Sequence, residues 1–200
     1  MKKICQILAG VVVLLGSAVA GTVDAPQYKE GDQWVIQYKR SSLISRSDAW
    51  LPGIYCIVYH KGELLWYTEV CDTSSKPIAT GLTNDIPIFY GHYFLGKDEL
   101  QYLAFPLEAG NKRKYGYFNP RSGRGGENLL GEITVEKIEQ VEVKAGVLSA
   151  YKHILEEGTG RSLRSYTYYY ALACKCVVKL ATEFAIGTTH TVELLNYSVK

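Results

Sequence analysis

The run Arg164-Ser165-Tyr166-Thr167-Tyr168-Tyr169-Tyr170-Ala171-Leu172-Ala173-Cys174-Lys175-Cys176-Val177-Val178-Lys179-Leu180 decides the fold class. Tyrosine and valine suit a pleated, half-buried surface, and this run lies between turn-rich flanks, as the centre of a sheet would. Side chains two apart on a strand share a face. Cys174, Cys176, Val178 and Leu180 are therefore expected on one side, with Lys175 and Lys179 toward water. Turns flank the run at Glu157-Gly158-Thr159-Gly160 and at 185–189, with further strands expected at 147–156 and 190–199.

Toward the N-terminus the same rhythm continues. Residues 133–143 alternate with a phase slip near Lys137-Ile138, as a β-bulge would cause. Strands are expected at 111–118 and 99–105, and a hairpin at 54–59 and 64–70 turns on Lys61-Gly62. That register sets Cys56 opposite Tyr67 and Val58 opposite Leu65. Earlier still, Trp34, Ile36 and Tyr38 share one face of a strand. Residues 72–96 are irregular but rich in aromatic side chains, and read as a loop covering an open end of the sheet. Strand, turn, strand at this spacing, with no amphipathic helix, predicts an all-β chain. The expected architecture is a single antiparallel meander of about nine strands, forming a curved sheet, barrel or half-barrel.

Several short motifs resemble a widespread family of exported bacterial β-proteins of uncharacterised function. They are Phe105-Pro106-Leu107 with Gly110, the segment 141–152, Tyr169-Tyr170-Ala171 with Val177-Val178-Lys179, and Glu193-Leu194-Leu195-Asn196-Tyr197. The resemblance runs from Gly31 and Trp34 through Tyr197 and implies the fold and export, without catalytic residues. The chain departs from the pattern where Arg113 stands in a tryptophan position, Leu172 in a proline position and Lys175 in a glycine position. The corner before the last hairpin is where these departures bear most.

The first twenty residues read as a secretory signal: Met1-Lys2-Lys3, an apolar run at 7–15, and Ala18-Val19-Ala20 before Gly21. The run is well short of the ~20 residues that span a bilayer, so cleavage after Ala20 is expected, leaving 21–200 as one antiparallel β-domain without a membrane span. Cleavage removes Lys2 and Lys3, and no acid, from 22 basic and 20 acidic residues, so the remaining chain is charge-balanced. Nothing in that balance points to nucleic acid or to an anionic membrane. In an exported chain, Cys56, Cys71, Cys174 and Cys176 read as disulfide cysteines with three connectivities open. On an extended strand the α-carbons of Cys174 and Cys176 would stand about 6.5–7 Å apart, at the edge of disulfide geometry. A link from the 56–71 segment to the 174–176 strand is favoured, and one bridge plus a free pair also fits.

Three groups are candidate sites. The inner face is expected to be built on Trp34, Ile36, Tyr38, Val58, Cys176 and Val178, and Trp34, Ile36, Tyr38, Tyr168 and Tyr170 would be its ligand-facing residues. Lys112, Arg113, Lys114, Arg121 and Arg124, interleaved with aromatic residues, are the local basic concentration and a candidate anion site. Cys174-Lys175-Cys176 is a candidate thiol pair, although a redox cysteine needs a cation or helix N-terminus to lower its pKa. The four histidines are scattered and no G-x-S-x-G elbow occurs, so no catalytic residue is assigned. The expectation is a non-enzymatic cell-envelope protein, periplasmic or secreted, that binds an apolar or amphipathic small molecule or another envelope component. A structural or assembly protein acting through a protein partner is one alternative, and a thiol-dependent redox enzyme using Cys174 and Cys176 is another. No cofactor and no metal are expected.

Overall fold

The structure, a computed structural model, describes residues 22–41, 52–80, 103, 105–119, 127–157, 164–183 and 189–200. The alternation seen in the sequence becomes ten strands. They are β1 (Gln33–Ser41), β2 (Gly53–His60), β3 (Glu63–Thr68), β4 (Ala79–Thr80), β5 (Lys112–Asn119), β6 (Glu127–Val143), β7 (Gly146–Glu157), β8 (Arg164–Ala171), β9 (Cys176–Glu183) and β10 (Thr189–Ser198). All belong to one antiparallel sheet in the order β4-β3-β2-β1-β10-β9-β8-β7-β6-β5. Neighbours in the sheet are consecutive in sequence except at one place: β1 lies against β10, with Trp34 opposite Tyr197 and Tyr38 opposite Val192. The two halves of the meander are thus joined through the first and last strands, and β4 and β5 form the two ends of the sheet.

The sheet curls. β6 is four places from β10 in the order, about 19 Å away if the sheet were flat. Yet at the tip of the β6–β7 hairpin the Ala145 N–H donates to the Leu194 carbonyl at 3.2 Å, and the Lys144 N–H to Glu193 Oε1 at 3.0 Å. The curl follows the long, coiled β6–β7 pair, whose register slips between Val135 and Ile138 where the sequence shows its phase change. The β2–β3 hairpin also turns as expected: Lys61 and Gly62 take φ of 50° and 84°, the pair of positive values that a tight hairpin turn requires. Cys56 then faces Tyr67 and Val58 faces Leu65.

Two expectations are corrected. Leu103 and Phe105 lie in bends, so a strand does not run through 103–105, and 99–102 lie outside the described residues. The central run is not continuous either. It breaks after Ala171 into a single 3-10 turn, Leu172–Cys174, followed by Lys175 in the left-handed region at φ 56°, ψ 28°. Lys175 occupies the position where the resembled pattern carries glycine, the residue with no Cβ to oppose that conformation. The corner therefore turns without its glycine.

The core lies on the inner face. Trp34, Ile57 and Trp66 sit opposite one another across β1, β2 and β3, and join Tyr151, Leu155, Tyr166, Tyr168 and Tyr170 in one buried cluster. Fully burying such side chains stabilises by roughly 1.5–3 kcal/mol each. Two segments outside the strands close over this face. Val23 and Leu107 exchange backbone hydrogen bonds of 3.1 and 2.7 Å, Tyr28 stands edge-on to Trp34 at 5.5 Å, and Phe105 edge-on to Tyr170 at 5.5 Å. The outer face of β2 and β3 carries a second, small cluster of Cys56, Val58 and Tyr67. Val58 is thus corrected from the inner face to the outer: it is Ile57, one residue earlier, that lines up with Trp34 and Trp66.

Candidate functional site

The five residues proposed for a ligand-facing surface do come together, because each occupies an inward position of its strand. Trp34, Ile36, Tyr38, Tyr168 and Tyr170 are between 0 and 5 % exposed, and the Tyr28 and Phe105 rings pack onto the Trp34 and Tyr170 rings. Their polar atoms are drawn into the fold as well: Trp34 Nε1 donates to the Cys174 carbonyl at 2.7 Å, and the Tyr38 hydroxyl bonds His190 Nδ1 at 2.8 Å. The Tyr170 hydroxyl is buried without a hydrogen-bond partner among the described residues. Burial pushes its pKa up, well beyond the ordinary tyrosine range.

Around the corner between β8 and β9, the segment just before β1 and the residues after β10 meet at the thiol pair. Asp32 is fully buried, and its carboxylate accepts from Lys175 Nζ at 2.8 Å, the Lys29 N–H at 2.9 Å and the Lys200 N–H at 2.8 Å. Burial alone would raise the Asp32 pKa, but the Lys175 ammonium and the two backbone donors outweigh it and hold the carboxyl below its usual range. The Tyr28 hydroxyl donates to the Lys175 carbonyl at 3.2 Å. Lys175, expected to face water, is thus tied inward. The sequence offered no signal for Asp32 or Tyr28, since both act across about 140 residues of chain.

Cys174 and Cys176 are unbonded, buried, and have their sulfurs 3.5 Å apart. Burial raises the Cys176 thiol well above its ordinary pKa, with the neighbouring thiol adding to the effect. Cys56 and Cys71 form a disulfide with α-carbons 5.2 Å apart. A link between the 56–71 segment and the 174–176 corner is therefore corrected: the first pair sits in the outer cluster and the second in the inner one. The hairpin register is as expected, and Cys71 reaches Cys56 because the chain folds back after β3. Glu69 takes φ 63°, its N–H donates to the Ile54 carbonyl at 3.0 Å, and the Val70 N–H donates to the Thr68 carbonyl at 2.7 Å.

The stapled loop leaves an open groove of about 240 Å³ lined by Tyr67, Thr68, Val70, Asp72, Ser75, Lys76 and Ile78. Val70 and Ile78 are 68 % and 48 % exposed, and the Tyr67 hydroxyl is buried without a hydrogen-bond partner among the described residues. Here too the sequence was silent, because the groove exists only once Cys71 has folded back. Lys112, Arg113 and Lys114 are exposed on β5 at the end of the sheet, while Arg121 and Arg124 lie outside the described residues. Lys112 and Lys114 share Glu132 on β6 at 3.4 and 3.9 Å. Lysines on an end strand also discourage unwanted strand pairing.

No protein-family model and no curated protein matches the chain. Three solved structures align over most of their length. The lipoprotein YmcC from Escherichia coli K12 shares 8 % identity over 86 % of this chain and 90 % of its own, at a TM-score of 0.35. An exported protein with a YmcC-like fold from Bacteroides fragilis shares 13 % over 89 % and 100 %, at 0.36. A lipoprotein from Parabacteroides distasonis shares 13 % over 88 % and 99 %, at 0.39. Likeness this distant leaves the reading of the sites to the chain's own residues. Among the described residues no helix is long and apolar enough to cross a membrane.

Proposed function

We propose that the protein works in the cell envelope, periplasmic or secreted, through contact with another protein and without catalysis. Export is supported by the signal-like residues 1–20 and by the Cys56–Cys71 disulfide, a bond that persists in oxidising compartments. The observation that carries the contact role is the burial of the inner face among the described residues: Trp34, Tyr168 and Tyr170 are fully buried, and Tyr28 and Phe105 stand edge-on to Trp34 and Tyr170. The groove of about 240 Å³ at the stapled loop falls below the roughly 300–1,000 Å³ that encloses a small-molecule ligand. Its lining is mixed, so it suits a partner side chain whose apolar stem lies between Val70 and Ile78 over the Tyr67 hydroxyl and whose polar end meets Thr68, Asp72, Ser75 or Lys76. A donor or acceptor on the partner would satisfy that hydroxyl, whose lone burial costs about 1–3 kcal/mol.

Photo-crosslinking in the envelope tests this reading. A benzoylphenylalanine at Val70 or Ile78 is expected to give a discrete protein adduct, and one at exposed Val147 none. Ile78→Asp, with the crosslinker at Val70, is expected to abolish the adduct while the circular dichroism spectrum stays unchanged. Equal labelling at all three positions, or no adduct at any, would overturn it.

A further inference from the structure

The corner between β8 and β9 changes what the last two cysteines can do. On a straight strand their α-carbons would sit at the outer limit of disulfide geometry, about 6.8 Å. Lys175 instead takes helical dihedrals of the left hand. Helical geometry of either hand, with a radius of about 2.3 Å and a rise of about 1.5 Å, places residues i and i+2 about 5.4 Å apart. That distance is within the common disulfide range of roughly 4.4–6.8 Å. The sulfurs are already 3.5 Å apart, and no backbone need unfold to join them. The other cysteine pair is closed on the opposite face of the sheet, so among the described residues neither thiol has another free cysteine to choose.

We infer that Cys174 and Cys176 are the site of a second disulfide, closed by exchange with a disulfide-bearing oxidant before the corner is buried. The step balances as ordinary thiol–disulfide exchange. One cysteine thiolate attacks a sulfur of the oxidant and expels its other sulfur as a thiolate. The second cysteine thiolate then attacks the mixed disulfide, forming the Cys174–Cys176 bond and releasing the remaining half of the oxidant. Two S–H bonds are lost and one S–S bond is gained; the oxidant takes up two electrons and two protons. Timing follows from the thiolate being the attacking species. Once Tyr28 and Trp34 have closed on the corner both sulfurs are buried, and the protonated form of Cys176 is favoured. The bond would lock the turn whose carbonyls receive Trp34 and Tyr28 and whose lysine holds Asp32. It thereby fastens the N-terminal segment to the core.

The test is to unfold and reduce the chain, refold it in a reduced/oxidised glutathione buffer, and alkylate under denaturing conditions without reductant. Labels are assigned by peptide mapping, so that Cys5 is counted apart. Trypsin cutting after Lys175 would leave the two cysteine peptides joined only through sulfur. That joined pair, with no label on Cys174 or Cys176, is the expected result. The Cys56→Ser/Cys71→Ser variant is expected to behave the same at these two positions. If that variant does not fold, the wild-type map decides. Alkylated Cys174 and Cys176 in refolded wild-type protein, or a bond from either to Cys56 or Cys71, would overturn the inference.

Discussion

His153 shows what one buried polar side chain can do to the pH response of this fold. It lies opposite Tyr168 on the neighbouring strand, its ring stacked on that tyrosine at 4.8 Å, with Nδ1 on the Tyr151 carbonyl at 3.1 Å and Nε2 without a partner among the described residues. Burial lowers its pKa from 6.5 to about 4. The unfolded chain thus takes up a proton below pH 6.5 that the folded chain refuses until about pH 4. The corresponding stability is complete above that window and declines across it as pH falls, by about 1.4 kcal/mol per unit. Urea unfolding is expected to show a loss of roughly 2–3 kcal/mol between its ends, and His153→Phe should remove most of that slope. Asp32 responds in the same direction but lower, because its folded pKa lies below the ordinary carboxylate value. Asp32→Ala removes the carboxylate from the half-buried Lys175 ammonium, which keeps its 2.9 Å bond to the Lys200 oxygen, and is expected to cost about 2–4 kcal/mol, toward the lower side of a broken buried pair. A denaturant midpoint unchanged in that variant would contradict the role given to the network.

Among the elements, the stapled loop and the β8–β9 corner carry the features that decide the sites. Cys56 and Cys71 are 15 residues apart, and closing a loop of that length limits the unfolded chain by about 3 kcal/mol. Cys71→Ser is therefore expected to lower stability by about 2–4 kcal/mol, measured by chemical denaturation under non-reducing conditions. It should also expose Val58 and Tyr67, which the loop covers, and raise binding of a hydrophobic dye. Loss of the groove without loss of stability would show that the loop contributes no constraint. Both elements were hard to read from the sequence for one reason. Each turns on a non-glycine residue at positive φ, Glu69 in the loop and Lys175 in the corner, where composition signals nothing. The Lys61-Gly62 turn was legible because a glycine marks it.

At the scale of the whole molecule, alternation carried the strands, their faces and the β2–β3 register, since period-two burial depends on neighbours only a few residues away. The slip at Lys137-Ile138 was visible for the same reason. Long-range choices were not visible. Nothing local states that β1 pairs with β10, that Asp32 meets Lys175, or that Phe105 lies on Tyr170. The inward set Trp34, Ile36, Tyr38, Tyr168 and Tyr170 could be written down as a ligand wall, and only the covering segments make it a core. The burial of that face among the described residues is the observation from which the surface-contact role follows. Native mass spectrometry of the protein recovered from the envelope tests it most directly: the expected mass is that of the polypeptide with its disulfides and nothing else inside. A stoichiometric apolar molecule, held in the folded protein and released on unfolding, would contradict it.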